Sequence, residues 1–100
     1  MSKYITTSFF REHSRINSDD ASEEYLEHTI SAAEGLLARD LQRDSLEEVE
    51  QDGELPEPLK RAILMLAGAM YENRESESPV DLKPDPLYWH LIVSWIKYRG

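Results

Sequence analysis

Apolar residues return every three or four positions along most of this chain, and the strict alternation that marks a strand is nearly absent. Tyr4-Ile5-Thr6-Thr7 is the only short β-prone stretch. Thr6, Thr7 or Ser8 can accept a free N–H of a first helical turn, so a short helix is expected from there to about Ser14, carrying Phe9, Phe10 and His13. Ile16 follows it, and Asn17-Ser18-Asp19-Asp20 reads as a turn and a second cap. Asp20, with Glu23 three residues on, resembles a capping box in which Asp replaces Ser or Thr. A second helix is expected over about 21–43, where Leu26, Ile30, Ala33, Leu37 and Leu41 recur at helical spacing. Tyr25, Thr29, Ala32 and Leu36 widen that stripe, and Glu23, Glu24, Glu27, Glu34 and Asp40 lie mostly off it. At 1.5 Å per residue such a helix is roughly 30 Å long. Gly35 inside it costs up to about 1 kcal/mol relative to Ala, which points to a close helix contact there.

Residues 44–54 are acidic and read as a loop, with a short turn capped by Ser45 and Glu48 and a reversal at Asp52-Gly53. Pro56 and Pro58 sit where a helix begins, because a missing first-turn N–H is no loss. The third helix is expected over about 57–73. From Ala62 to Tyr71 it is apolar almost all round, the mark of a buried element, so Ile63, Leu66 and Met70 are the expected centre of the core. Residues 74–85 read as a loop. Pro86 can open a last helix from Leu87 to about Lys97, with Leu91, Ile92, Trp95 and Ile96 on its apolar side and Leu87 and Tyr88 a turn earlier. Trp89 and Trp95 are six positions apart, about 240° round a helix, so one neighbour cannot easily bury both. One of them is expected to face a partner subunit, since Trp is enriched among interface hot spots. The fold class that follows is all-α: one domain over 1–100, a small bundle of about four helices around a buried third helix, with a C-terminal amphipathic arm.

Composition sharpens this picture. A chain of 100 residues with 40% apolar content builds only a limited core, which leaves room for partner surfaces to complete it. With no cysteine, neither a disulfide framework nor a thiolate metal site is possible, in keeping with a reducing cytoplasm. Met1-Ser2-Lys3-Tyr4 has no apolar run suited to a signal peptide, and the longest apolar stretch is too short to span a bilayer, so no membrane partner is expected. The net charge of −9 is unevenly spread. Residues 19–57 hold 14 acidic residues against Arg39 and Arg43, a net of −12, while the rest carries a net of +3. Such a patch repels DNA phosphates at low to moderate salt.

Candidate chemistry is sparse. Glu24 and His28 lie one turn apart on the second helix, but no matching pair elsewhere would complete a metal site; an exposed ion pair is the simpler account. His90 beside Trp89 reads as a packing or rim residue. Seven serines precede residue 50, none in a nucleophile-elbow sequence, and no phosphate-binding or dinucleotide motif occurs. No catalytic residue, metal or cofactor is therefore assigned, and the chain is not expected to be an enzyme.

One segment carries more. Leu55-Pro56, Leu59-Lys60, Ala62-Ile63-Leu64, Leu66 and the closing Tyr71-Glu72-Asn73-Arg74-Glu75 together resemble the central helix of the small head–tail connector (adaptor) proteins of tailed bacteriophages. The resemblance is strongest over 55–75. It extends in weaker form over 7–41, where Arg15-Ile16-Asn17-Ser18-Asp19-Asp20 stands at a turn that family usually writes as Arg-Ile-Asp. After Pro86 it fades: Tyr98-Arg99 fits the family's terminal aromatic–Arg pair, Trp89 to Lys97 departs from its pattern, and the loop before lacks the glycine-rich hairpin of some members. The resemblance implies a virion component, assembled in the host cytoplasm, that forms a ring of roughly a dozen copies in the neck below the portal. Such a ring extends the DNA channel and receives a tail-completion protein. A head-to-tail ring needs two different adhesive faces on each subunit. Phe9, Phe10, Trp89, Trp95 and Tyr98 are the candidate interface residues, and Glu23, Glu27 and Glu34 the candidate channel-facing acids, past which DNA slides without being held. Two other readings stand beside it: an acidic DNA mimic that occupies a DNA-binding protein, and a small helical adaptor of a non-viral complex.

Overall fold

The structure, a computed structural model, describes residues 4–16, 21–72 and 86–97. Within them the chain runs α1 (Thr7–Ser14), α2 (Glu23–Asp40), a 3-10 turn (Leu46–Val49), α3 (Glu57–Glu72), α4 (Pro86–Ile92) and a second 3-10 turn (Val93–Trp95). No strand occurs among the described residues; a lone bridge joins Gln51 to Glu54 across the Asp52-Gly53 reversal, where both central residues take positive φ (55° and 80°). The architecture is the expected all-α one. The expected terminal pair Tyr98-Arg99, the Asp20 cap and the loop of residues 74–85 lie outside the described residues.

Local chemistry sets the ends of the first two helices. The Thr6 hydroxyl accepts the Phe9 N–H at 3.0 Å and starts α1. Ile16 N–H then returns to the Arg11 carbonyl at 2.9 Å and Arg15 N–H to Glu12, closing the helix with Arg15 in the left-handed region usually given to Gly. The second helix ends the same way: Arg43 N–H bonds Ala38 and Gln42 N–H bonds Arg39, both at 3.0 Å, with Gln42 at φ 57°. That stop falls earlier than the periodicity suggests, because the apolar spacing continues to Leu41 while the backbone has already turned. The start also differs. Ser22 is the cap, accepting the Tyr25 N–H at 3.1 Å, so α2 opens at Glu23.

The third helix is central and packs against each of the other three. Its Leu59, Ala62, Ile63, Leu64, Leu66 and Ala67 are buried against Phe10 of α1, Leu26, Ile30, Ala33 and Leu37 of α2, and Tyr88 and Ile92 of α4. Burial weakens beyond Ala67: Tyr71 and Met70, the latter expected with Ile63 and Leu66 at the centre of the core, are only half-buried, as Met65 is earlier in the helix, although the sequence is apolar on every side there. Tyr71 stands edge-on to both Phe10 and Tyr25, with ring centroids 6.5 Å and 6.3 Å away.

Two expectations change. Gly35 makes no close helix contact; a Cβ there would meet nothing within 4 Å. It lies two residues from both Ala33 and Leu37, about 200° round the helix from the buried stripe, and so faces outward. The last helix is also shorter than its pattern. It leaves α geometry after Ile92 and is extended by Ile96, because its polar backbone is captured from outside. Arg43 donates from Nε and Nη2 to the Trp95 carbonyl at 3.3 and 2.9 Å, and Lys97 N–H donates to the Leu41 carbonyl at 2.9 Å. These tertiary bonds fasten the C-terminal arm to the end of α2.

Candidate functional site

The fourth helix is apolar on two sides. Its inner side buries Tyr88 and Ile92, and the Tyr88 hydroxyl donates to Asp40 of α2 at 2.6 Å. Burial, and then the adjoining Asp40 carboxylate, raise the Tyr88 phenol well above its ordinary value, so it stays a neutral donor. The outer side presents Pro86, Trp89, His90 and Val93 around a shallow face of about 460 Å³. Trp89 is 43% and Val93 47% exposed. Trp95 instead lies half-buried against the core. Trp89 stands edge-on to Tyr88 at 5.2 Å.

On the other flank of α4 is a groove of about 310 Å³ between α1, α3 and α4. Phe9, Pro58, Leu64 and Leu91 supply its apolar surface, and Lys60 and Arg61 bring positive charge to it beside Glu57 and His13. Lys60 pairs with Glu57 at 3.6 Å. Phe9 is 48% exposed and stands edge-on to His13. The sequence offered Phe9 as a contact residue but gave no sign of Arg61, Leu64 or Leu91 beside it. Leu64 and Leu91 read only as core positions, and a groove between three helices leaves no mark on any one of them.

Phe10 corrects an expectation. Named with Phe9 as an interface residue, it is fully buried, with no exposed surface. One residue along a helix is a 100° turn, enough to send Phe10 into the core while Phe9 stays outside. Tyr98 lies outside the described residues.

The three carboxylates singled out on α2 share one side of the helix, within about 40° of one another at 100° per residue. Their situations differ. Glu23 accepts from the Thr7 hydroxyl and lies 4.0 Å from Arg11, whose Nη2 also donates to the Ala21 carbonyl at 2.8 Å. This carboxylate therefore ties α1 to the start of α2. Glu27 and Glu34 are half-exposed. Glu34 adds its charge to a second acidic group, in which the Tyr4 hydroxyl donates to Glu50 with Glu47 nearby. Burial first, then the Glu50 bond and the surrounding negative charges, push the Tyr4 phenol far above its ordinary value. Acid from α2 and from the loop after it thus converges at the chain's first described residue.

Among the described residues no three His, Asp or Glu side chains are placed to hold a metal ion, and Glu24 and His28 are simply exposed on α2. No helix among them is long and apolar enough to cross a membrane. Every buried side-chain nitrogen and oxygen described has a hydrogen-bond partner, so no polar group is left aimed into a cavity. What this chain offers is surface: an acidic side, an aromatic ridge and a groove edged with cations. No curated protein and no solved structure matches it. The family model described as phage gp6-like head-tail connector protein does match, over residues 4–85, which takes in α1, α2 and the whole of the central helix. On that span, with an all-α fold built around the helix whose residues first suggested it, the chain belongs to the phage gp6-like head-tail connector family, structural and non-enzymatic proteins that join the phage head to its tail.

Proposed function

We propose that this chain acts as one helical domain, copies of which close into a ring of roughly a dozen in the virion neck, below the portal. The ring extends the channel for the genome and presents its lower side to a tail-completion protein. The family match over residues 4–85 carries this reading. Two exposed apolar surfaces on different flanks of α4 support it, since a ring subunit needs one surface to give and another to receive.

The acidic segment accounts for how DNA passes. Non-specific DNA affinity comes mainly from Lys and Arg releasing counterions. Residues 19–57 hold 14 acidic residues and only two basic ones, and Arg43 is engaged by the C-terminal arm. With Glu27 and Glu34 toward the channel, the wall repels the duplex and lets it slide.

Two measurements test this. Mass determination and electron microscopy of the chain with its portal should show a closed ring; a stable two-fold dimer that never joins a portal would overturn the proposal. Wild type should show no duplex-DNA binding at physiological salt. Glu27→Lys/Glu34→Lys should create salt-sensitive binding and slow genome delivery, and it leaves the Glu23 tie to α1 in place. Normal infectivity of that variant would move the acidic side to the outside of the ring.

A further inference from the structure

We infer that neighbouring subunits join knob-into-groove: the Trp89–Val93 ridge of one copy seats in the Phe9–Leu64–Leu91 groove of the next. The inference deepens the ring proposal and rests on it.

The exposed large apolar side chains among the described residues are Phe9, Leu87, Trp89 and Val93. Phe9 belongs to the groove, Trp89 to α4 and Val93 to the 3-10 turn that follows it, while Leu87 lies one turn before Leu91. Exposed aromatic and aliphatic surface that recurs in contiguous patches marks an interaction site. Here the patches differ in shape. The α4 face is shallow and open, with Trp89 and Val93 standing exposed on it, whereas the groove is a narrower recess of about 310 Å³ that reaches down to the nearly buried Leu64. That size is at the small end of pockets that bury organic ligands, and suits one large aromatic side chain.

Direction comes from α4 itself. Leu91, in the groove, is two residues from Trp89, about 200° round α4. The ridge and the groove therefore face nearly opposite ways. A contact of either surface with its own copy would give a two-fold dimer; a contact between them propagates head to tail. In a ring of about twelve, successive copies turn by only about 30°, which requires the two surfaces to be close to opposed.

Charge says where two such copies can meet. Each carries a net charge of −9, so most orientations of approach are repulsive. The ridge residues Pro86, Trp89, His90 and Val93 include no carboxylate, and the groove brings Lys60 and Arg61 against the single acid Glu57. An indole is the strongest aromatic partner for a guanidinium or ammonium group. Trp89 entering the groove meets both Arg61 and Phe9 in its lining. A second copy of this chain is thus the occupant that satisfies the shape, the opposed directions and the charge together.

The chain has no cysteine, so introduced thiols report without background. His13→Cys, in the groove, and His90→Cys, beside Trp89, both replace exposed residues, leave Trp89 and Arg61 in place, and should melt close to wild type. Mixed in equal amounts and oxidised under conditions where wild type assembles, with the portal as template, they should form the mixed disulfide well in excess of either homodimer. The double variant should give a ladder of covalent multimers ending at the ring number. Trp89→Ala should weaken the subunit contact by about 30-fold or more, the scale of an interface hot spot. If wild type forms a ring while the mixed pair cross-links no better than a His28→Cys control, this interface is wrong, the ring stands, and the portal or tail protein becomes the occupant of the groove. If wild type forms only a dimer, and His90→Cys cross-links chiefly to its own kind, the ring proposal and this inference fall together. If wild type joins no ring on the portal, the proposal beneath it fails first.

Discussion

Phe9 and Phe10 are neighbours of the same chemical type with opposite surroundings, so truncating each in turn tests the placement of α1. Phe10 has no exposed surface, sits within the core cluster and meets the Tyr71 ring edge-on at 6.5 Å. Phe10→Ala removes a whole buried ring and leaves a cavity among residues of α2 and α3 that are held by their own backbones. Such changes cost about 3–5 kcal/mol, and a lost edge-on aromatic pair accounts for about 0.5–1.5 kcal/mol of contact energy within that loss. The total stability of a domain of this size is about 5–15 kcal/mol, so the variant loses a large share of it. At about 4–8 °C per kcal/mol, the melting temperature should fall by at least about 12 °C. Phe9 is 48% exposed, and Phe9→Ala should shift stability by no more than about 0.5 kcal/mol. Urea unfolding followed by circular dichroism, with thermal melts of the same samples, reads both numbers. Equal melting of the two variants would refute the assignment of Phe10 to the core and Phe9 to the surface, and with it the groove that Phe9 lines. Assembly should show the reverse order, with Phe9→Ala folded but poorly incorporated into rings.

Leu66 has no exposed surface at the middle of α3, so Leu66→Asp buries a charge without a partner and should cost several kcal/mol; a melt within a few degrees of wild type would remove α3 from the core. Tyr88→Phe takes a donor from Asp40 and should cost about 1.5–3 kcal/mol by urea titration, the range for hydrogen bonds to charged groups. The pH dependence follows from the raised phenol. A group whose folded pKa lies above its unfolded one keeps its full stabilisation below the unfolded value and loses it as pH climbs toward the folded one. Wild-type stability should therefore decline as pH rises past about 10, where unfolded tyrosine ionises, and decline less steeply in Tyr88→Phe; Tyr4, raised in the same sense, supplies part of the remaining slope. Identical slopes in the two proteins would show that Tyr88 ionises as freely folded as unfolded.

Much of this molecule is written locally. Helix periodicity, the Thr6 cap, the Ser45–Glu48 box, the Asp52-Gly53 reversal and the proline-marked start of α3 all involve residues within a few positions of each other. The family, too, was legible in one helix, because residues 55–75 carry its pattern and the family match extends over 4–85. Tertiary structure decided the rest. An eight-residue α1 makes barely two turns, and its pattern gives no reason to bury Phe10 rather than Phe9; the position of Tyr71 and α3 does that. The length of α4 was set by Arg43, 52 residues before the carbonyl it captures. Glu23 reads as one more solvated acid until Thr7 and Arg11, on another helix, are found beside it. Gly35 reads as a contact until nothing packs on its side of α2. The groove exists only where three helices meet. Periodicity and capping are fixed by hydrogen bonds and side-chain spacing inside one segment, so the sequence holds them directly. Burial, capture and surface shape depend on which segment lies opposite, and that is settled only when the apolar faces of all the helices are buried together.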